Sequence, residues 1–236
     1  MATFPEDLYL PGPSEPAGVL AWGKSPEQTE KDLAAAVARI GGWRRPDYGQ
    51  AYLLGANTLL RKAREDGHLD HHALPIFYLQ RHSTELLIKE ALQFAVQIHD
   101  LCKEVGKPAP TYPSDEQRSR VGRAHELKPL LADLEDMVLA LKVGEVPGSL
   151  RLAVEAITSI EDDPTWARYS FRRGKRKGDG SIHHAVAEVV VPLGDIQNSL
   201  QRANHELGVV WAGPGLVIGN LGQLWQDLMR RAGHID

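Results

Sequence analysis

The stretch IFYLQRHSTELLIKEALQF, Ile76 to Phe94, decides how the chain is read. Its apolar residues recur at helical spacing around most of the circumference, which predicts a largely buried helix. One arc breaks the pattern. At about 100° per residue, with Arg81 set at zero, Glu85 falls near 40°, Tyr78 near 60°, Lys89 near 80° and His82 near 100°. Leu79, Leu86, Leu87 and Phe94 lie opposite, while Phe77, Ile88 and Leu92 border the zero-degree edge. Two readings stay open. The arc is either a solvated ladder of charges at i, i+4, or a desolvated polar cluster at a cleft or subunit interface. In the second case each charge must be paired, because burying it alone costs several kcal/mol, on the order of 3–5 when a partner is removed.

Working outward, the pattern predicts more helices. Ser25-Pro26-Glu27-Gln28 reads as an N-cap, a first-turn proline and a capping-box partner, with the helix running on to Gly41-Gly42. A second helix is expected from Asp47 to about Glu65. The long one is expected to start near Pro75 and to reach about Val105 before a Gly/Pro loop. Further helices are expected from His125–Pro129 to Gly144, from Ser149 to Glu161, from Leu193 to Glu206 and from Asn220 to Arg231. Between Trp166 and Pro192 the pattern changes: ARYSFRR and HAVAEVVVPL, separated by GKRKGDGSI, read as a β-hairpin with a basic loop. The expected class is all-α, about six or seven helices with a small hairpin insertion near 168–192. The domain plan is an N-terminal arm over 1–24 and one helical domain over 25–236.

Composition narrows the function classes. The chain has 236 residues, 42% of them hydrophobic and 25% charged, enough to bury a substantial core. A net charge of −4 gives no global drive toward nucleic acid, although a local basic patch can still bind phosphates. Cys102 is the only cysteine, so no intramolecular disulfide can form, and a reducing, cytoplasmic setting is expected. Leu207 to Gln226 carries no charge over the length of a membrane helix, but its glycines and Pro214 argue against insertion. No metal and no cofactor are expected. His71-His72 and His183-His184 are adjacent pairs that chelate one ion poorly, and no Gly-rich phosphate loop, nucleophile elbow or His-Glu-x-x-His is present.

Two further stretches carry chemistry. In RSRVGRAHELKPLLADL, Pro129 fits only a first helical turn, which sets His125 at or just before a helix start, as a cap, a packing group or a base. Around the expected hairpin, Arg168, Arg172, Arg173, Lys175, Arg176 and Lys177 stand close together beside Tyr169 and Phe171. That suits phosphate contacts with an aromatic stacking partner, or a solvated basic loop.

Taken in order, AYLLGANTLLRKA, ALPIFYLQRHSTELLIKEAL, AHELKPLLADL and DDPTWARYSFRRGKRKGDGS resemble the HEPN-like helical proteins of bacteria, over about Tyr52 to Leu207. In those, a Tyr-x-x-Arg-His-x-x-Glu-Leu-x-x-Lys helix precedes a loop and a His-x-Leu-Lys-x-Leu start. The resemblance implies a helical bundle, a homodimer, and a setting among toxins, antiviral defence and RNA processing, with RNA or a partner protein of a defence operon as the other party. It also implies a metal-independent endoribonuclease signature of Arg, four to six residues, then His. His would serve as general acid or base, and Arg would stabilise charge on the phosphoryl oxygens. Arg120 and Arg118 both meet that spacing to His125, as do Arg61/His68, Arg64/His71 and Arg176/His183. The candidate catalytic set is Arg81, His82, Glu85, Lys89, Arg120, His125 and Lys128. A non-catalytic dimerisation or partner-binding module is the alternative.

Overall fold

The structure is a computed structural model and describes residues 25–38, 48–161, 171–173, 182–184, 188–209 and 215–235. Contacts group the chain into two compact units, Met1–Asp47 and Tyr48–Asp236. The expected arm over 1–24 lies outside the described residues.

In the first unit, helix α1 spans Pro26–Ala34. Its Ser25 N-cap accepts a bond from the Gln28 amide at 3.2 Å, as the capping signature predicts. The helix ends earlier than the alanine run suggests. Ala36 takes φ 52° and the Val37 amide closes onto the Asp32 carbonyl at 2.8 Å. With Leu33 75% and Val37 48% exposed, no apolar stripe is buried among the described residues that would hold a longer helix.

Among its described residues the second unit is helical apart from two short strands. Its helices are α2 (Tyr48–Glu65), α3 (Leu69–Glu104), α4 (Asp115–Arg123), α5 (Leu127–Leu141), α6 (Gly148–Ile160), α7 (Leu193–Leu207) and α8 (Val217–Arg231). With α1 that makes eight among the described residues, one more than the expected six or seven. The addition is α4, which Ser114 opens with a capping box: Ser114 Oγ accepts from the Gln117 amide and Gln117 Oε1 from the Ser114 amide. Only Val121 of α4 is buried, so it lacks the apolar periodicity that reveals a helix. Strands β1 (Phe171–Arg173) and β2 (Ile182–His184) pair antiparallel, with Arg172 opposite His183. The expected basic loop lies outside the described residues, as do Arg168, Lys175, Arg176 and Lys177. Arg172 and Arg173 are placed by their backbone in β1 alone.

Helix α3 organises the unit. At 36 residues it is about 54 Å long, and it packs against α2, α4, α5, α6, α7 and α8. It starts at Leu69, not near Pro75. Pro75 removes one hydrogen bond to the His71 carbonyl, but both residues are exposed, so the lost bond leaves no buried polar group. The core around α3 includes Leu92, Leu130, Leu134, Leu150, Leu200 and Leu221, each 0% exposed. Close approach of α2 depends on Gly49: a Cβ there would stand 2.9 Å from the Leu87 side chain and 3.1 Å from its amide. Ser83 Oγ donates to the Gly49 carbonyl at 2.7 Å and the Gly49 amide donates to Glu90 at 3.2 Å, which fastens the start of α2 to α3. Among the described residues no helix is long and apolar enough to cross a membrane.

Candidate functional site

The polar arc of α3 divides into two parts. Its charged part is buried: Arg81 is 4% exposed, Glu85 3% and Lys89 8%. The three are one turn apart, so helical geometry sets Glu85 between two cations. Arg81 Nη1 donates to Glu85 Oε2 at 2.6 Å and Lys89 Nζ to Glu85 Oε1 at 2.9 Å. Elements distant in sequence complete the network. Arg81 Nε donates to Glu161 Oε2 at 3.1 Å, just beyond the end of α6, and Arg81 Nη2 donates to the His125 carbonyl. The His125 ring reaches in from the junction before α5, with Nδ1 2.9 Å from Glu85 Oε1. Arg81, Glu85 and Lys89 are buried and paired, so the solvated-ladder reading does not hold for them.

Glu85 carries the electrostatics of the network. Burial pushes its carboxyl up, but hydrogen bonds from Lys89, His125 and Arg81 outweigh burial and hold it below the usual carboxylate range. A carboxylate can only accept, so His125 Nδ1 is the donor in the pair and a neutral ring carries its lone pair on Nε2. The His125 side chain is 59% exposed while its partner is 4% exposed. A buried carboxylate therefore holds a largely exposed imidazole by Nδ1 and leaves Nε2 as its basic nitrogen, the arrangement in which a histidine accepts a proton from a bound hydroxyl.

The other candidates are placed differently. His82, half-buried, turns to aromatic neighbours: its ring stacks on Tyr78 with centroids 5.7 Å apart and planes 11° from parallel. Tyr52 of α2 meets it edge-on at 4.5 Å. Arg120 is held by Asp133, Nε to Oδ2 at 2.8 Å and Nη2 to Oδ1 at 3.0 Å, and by Glu116 at 3.0 Å. Arg118 forks onto Asp100 at 2.9 and 2.7 Å, with His99 Nδ1 3.1 Å away. The guanidinium holds the Asp100 carboxyl below its ordinary range. Both arginines at ribonuclease-like spacing to His125 are thus engaged by carboxylates. Lys128 is exposed in the first turn of α5, and Arg123 is exposed at the end of α4.

The sequence pattern marks neither Glu161 nor Tyr52 as a site residue. Glu161 stands 80 residues from Arg81, and no local pattern announces such a partner. Tyr52 sat in plain helical spacing. Among the described residues no group of three or more His, Cys, Asp or Glu side chains is placed to hold a metal ion. Comparisons with protein-family models, curated proteins and solved structures return no match.

Proposed function

We propose that the chain acts on RNA as a metal-independent endoribonuclease of HEPN-like type, working as a homodimer in a toxin or defence setting, with His125 as its general base. The observation that supports this reading most is the Glu85–His125 pair, a buried carboxylate holding a 59% exposed imidazole by Nδ1. In the reaction, Nε2 of His125 takes the proton of a ribose 2′-hydroxyl as its oxygen attacks the adjacent phosphorus. The bond from phosphorus to the 5′-oxygen breaks, that oxygen takes a proton from solvent, and a 2′,3′-cyclic phosphate remains.

The roles of the neighbours follow from their burial. Arg81 donates through Nε, Nη1 and Nη2 to groups of the chain itself, so it and Lys89 are positioning residues for Glu85, and Arg81 does not serve as the phosphate clamp of the family pattern. Lys128 and Arg123 suit that task better. They flank His125 in exposed positions, and Lys128 adds its charge to the positive end of α5, where Glu126 provides no side-chain cap. The basic residues Arg168, Arg172, Arg173, Lys175, Arg176 and Lys177, close together in the sequence, would supply further phosphate contacts.

The test is incubation of the purified protein, with EDTA present, against total RNA and transfer RNA, beside His125→Ala and a His82/His125 double alanine variant. The His125 ring is exposed and Glu85 keeps its bonds from Arg81 and Lys89, so His125→Ala is expected to fold, which a melting curve checks. Cleavage by wild type and loss of at least about a hundredfold in His125→Ala is the expected result, the range for a lost general base. One observation favours a second reading, a non-catalytic helical module bound to a partner protein: the buried charges satisfy one another without any ligand. Absence of cleavage by a wild-type dimer would select it.

A further inference from the structure

The aromatic part of the arc carries an inference that rests on the RNA reading above and deepens it. Tyr78 and His82 stand one turn apart on α3 with nearly parallel rings, and Tyr52 braces His82 from α2 through an edge contact. All three are half-buried, in contrast to the sealed core positions Ile76 and Phe77 beside them. Stacked rings held from a second helix form a surface of fixed orientation that loses little conformational freedom when another flat ring is laid against it.

The surface and the dyad share one side of the helix. Tyr78, Glu85, Lys89 and His82 fall within an arc of about 60°, and Tyr78 is separated from Glu85 by about 10 Å along the axis. A single polynucleotide strand crosses that distance within a step or two. We propose that Tyr78 and His82, braced by Tyr52, are a stacking platform for an unpaired nucleobase, so that the strand presented to His125 is single-stranded RNA. In a duplex the base faces are already covered by their neighbours and are not available to a side chain. Stacking of this kind tolerates any base, because every base has a π-face. The site would therefore select for strandedness and only weakly for sequence.

The platform is tested with a short RNA carrying 2-aminopurine and 2′-O-methyl sugars, which removes the attacking hydroxyl and separates binding from cleavage. Wild type is expected to quench the 2-aminopurine fluorescence and to bind the single strand more tightly than the same sequence in a duplex. Tyr78→Leu is expected to lose the quenching and about tenfold in affinity, the scale of one stacked base. Tyr78→Phe keeps the ring and is expected to retain both, which also separates loss of stacking from loss of fold. A Tyr78→Leu variant with wild-type affinity and quenching would overturn the platform while leaving RNA cleavage standing, as would loss of quenching in Tyr78→Phe with a wild-type melting curve. Failure of wild type to bind or cleave any RNA would instead overturn the functional reading on which the platform rests.

Discussion

Glu85 is a carboxylate with two oxygens and three donors, Arg81, Lys89 and His125. Replacement by Gln takes the counter-charge from Lys89, one turn on, and leaves Arg81, one turn back, with Glu161 alone. Breaking a buried network in this way costs about 3–5 kcal/mol, and thermal melting of Glu85→Gln against wild type will read it. The effect depends on pH. The folded-state pKa of Glu85 is depressed below its ordinary 4.5, so its contribution is present above that value and is lost as pH falls through the depressed one. The gap between wild type and Glu85→Gln is therefore expected to be full at neutral pH and to close in acid below about 4.5. Asp100 titrates in the same direction in both proteins and cancels from the difference. At this scale the sequence was half legible. Spacing of four residues put Arg81, Glu85 and Lys89 on one line, but spacing is the same for a wet ladder and a dry one. Depth is decided by residues that close over the line from elsewhere, and neither Glu161 nor the His125 carbonyl leaves a local trace.

Elements were legible where they carry their own signals. Ser25 caps α1 as its motif predicts, and the pattern of α5, α6 and α7 gave their extents to within a few residues. Pro75 misled, because a proline in an exposed turn of a long helix costs one bond and not the helix. The seat of α2 on α3 could not be read, since it rests on the absence of a side chain. Gly49→Val would press a branched group against Leu87 Cγ and Cδ2 at 2.9 Å, with the Leu87 amide behind them. Such overpacking costs about 1–3 kcal/mol, to be measured by denaturant unfolding. A midpoint unchanged from wild type would mean that α2 can move away freely. Tyr52 rides on the same helix, so the variant is also expected to disturb the ring contact with His82.

For the whole molecule, the class could be read from periodicity alone, while the plan of the second unit could not: it is one long helix enclosed by six others. That plan makes unfolding collective. Amides at Ala91, Leu92 and Ala95, all 0% exposed in the middle of α3, are expected to exchange with deuterium only through global opening, as the slowest of the described residues. Protection in α5 or α8 outlasting that of α3 would refute the plan. The same geometry bears on how the protein is made. Of the six helices that cover α3, α2 alone is synthesised before it, and the remaining five follow one by one. While the nascent chain grows, the apolar flanks of α3 stay uncovered, and Glu85 waits for residue 125 to leave the ribosome before its third donor exists. A chain stalled short of α8 would leave open the apolar surface of α3 that α8 covers, an adhesive strip exposed for as long as the stall lasts.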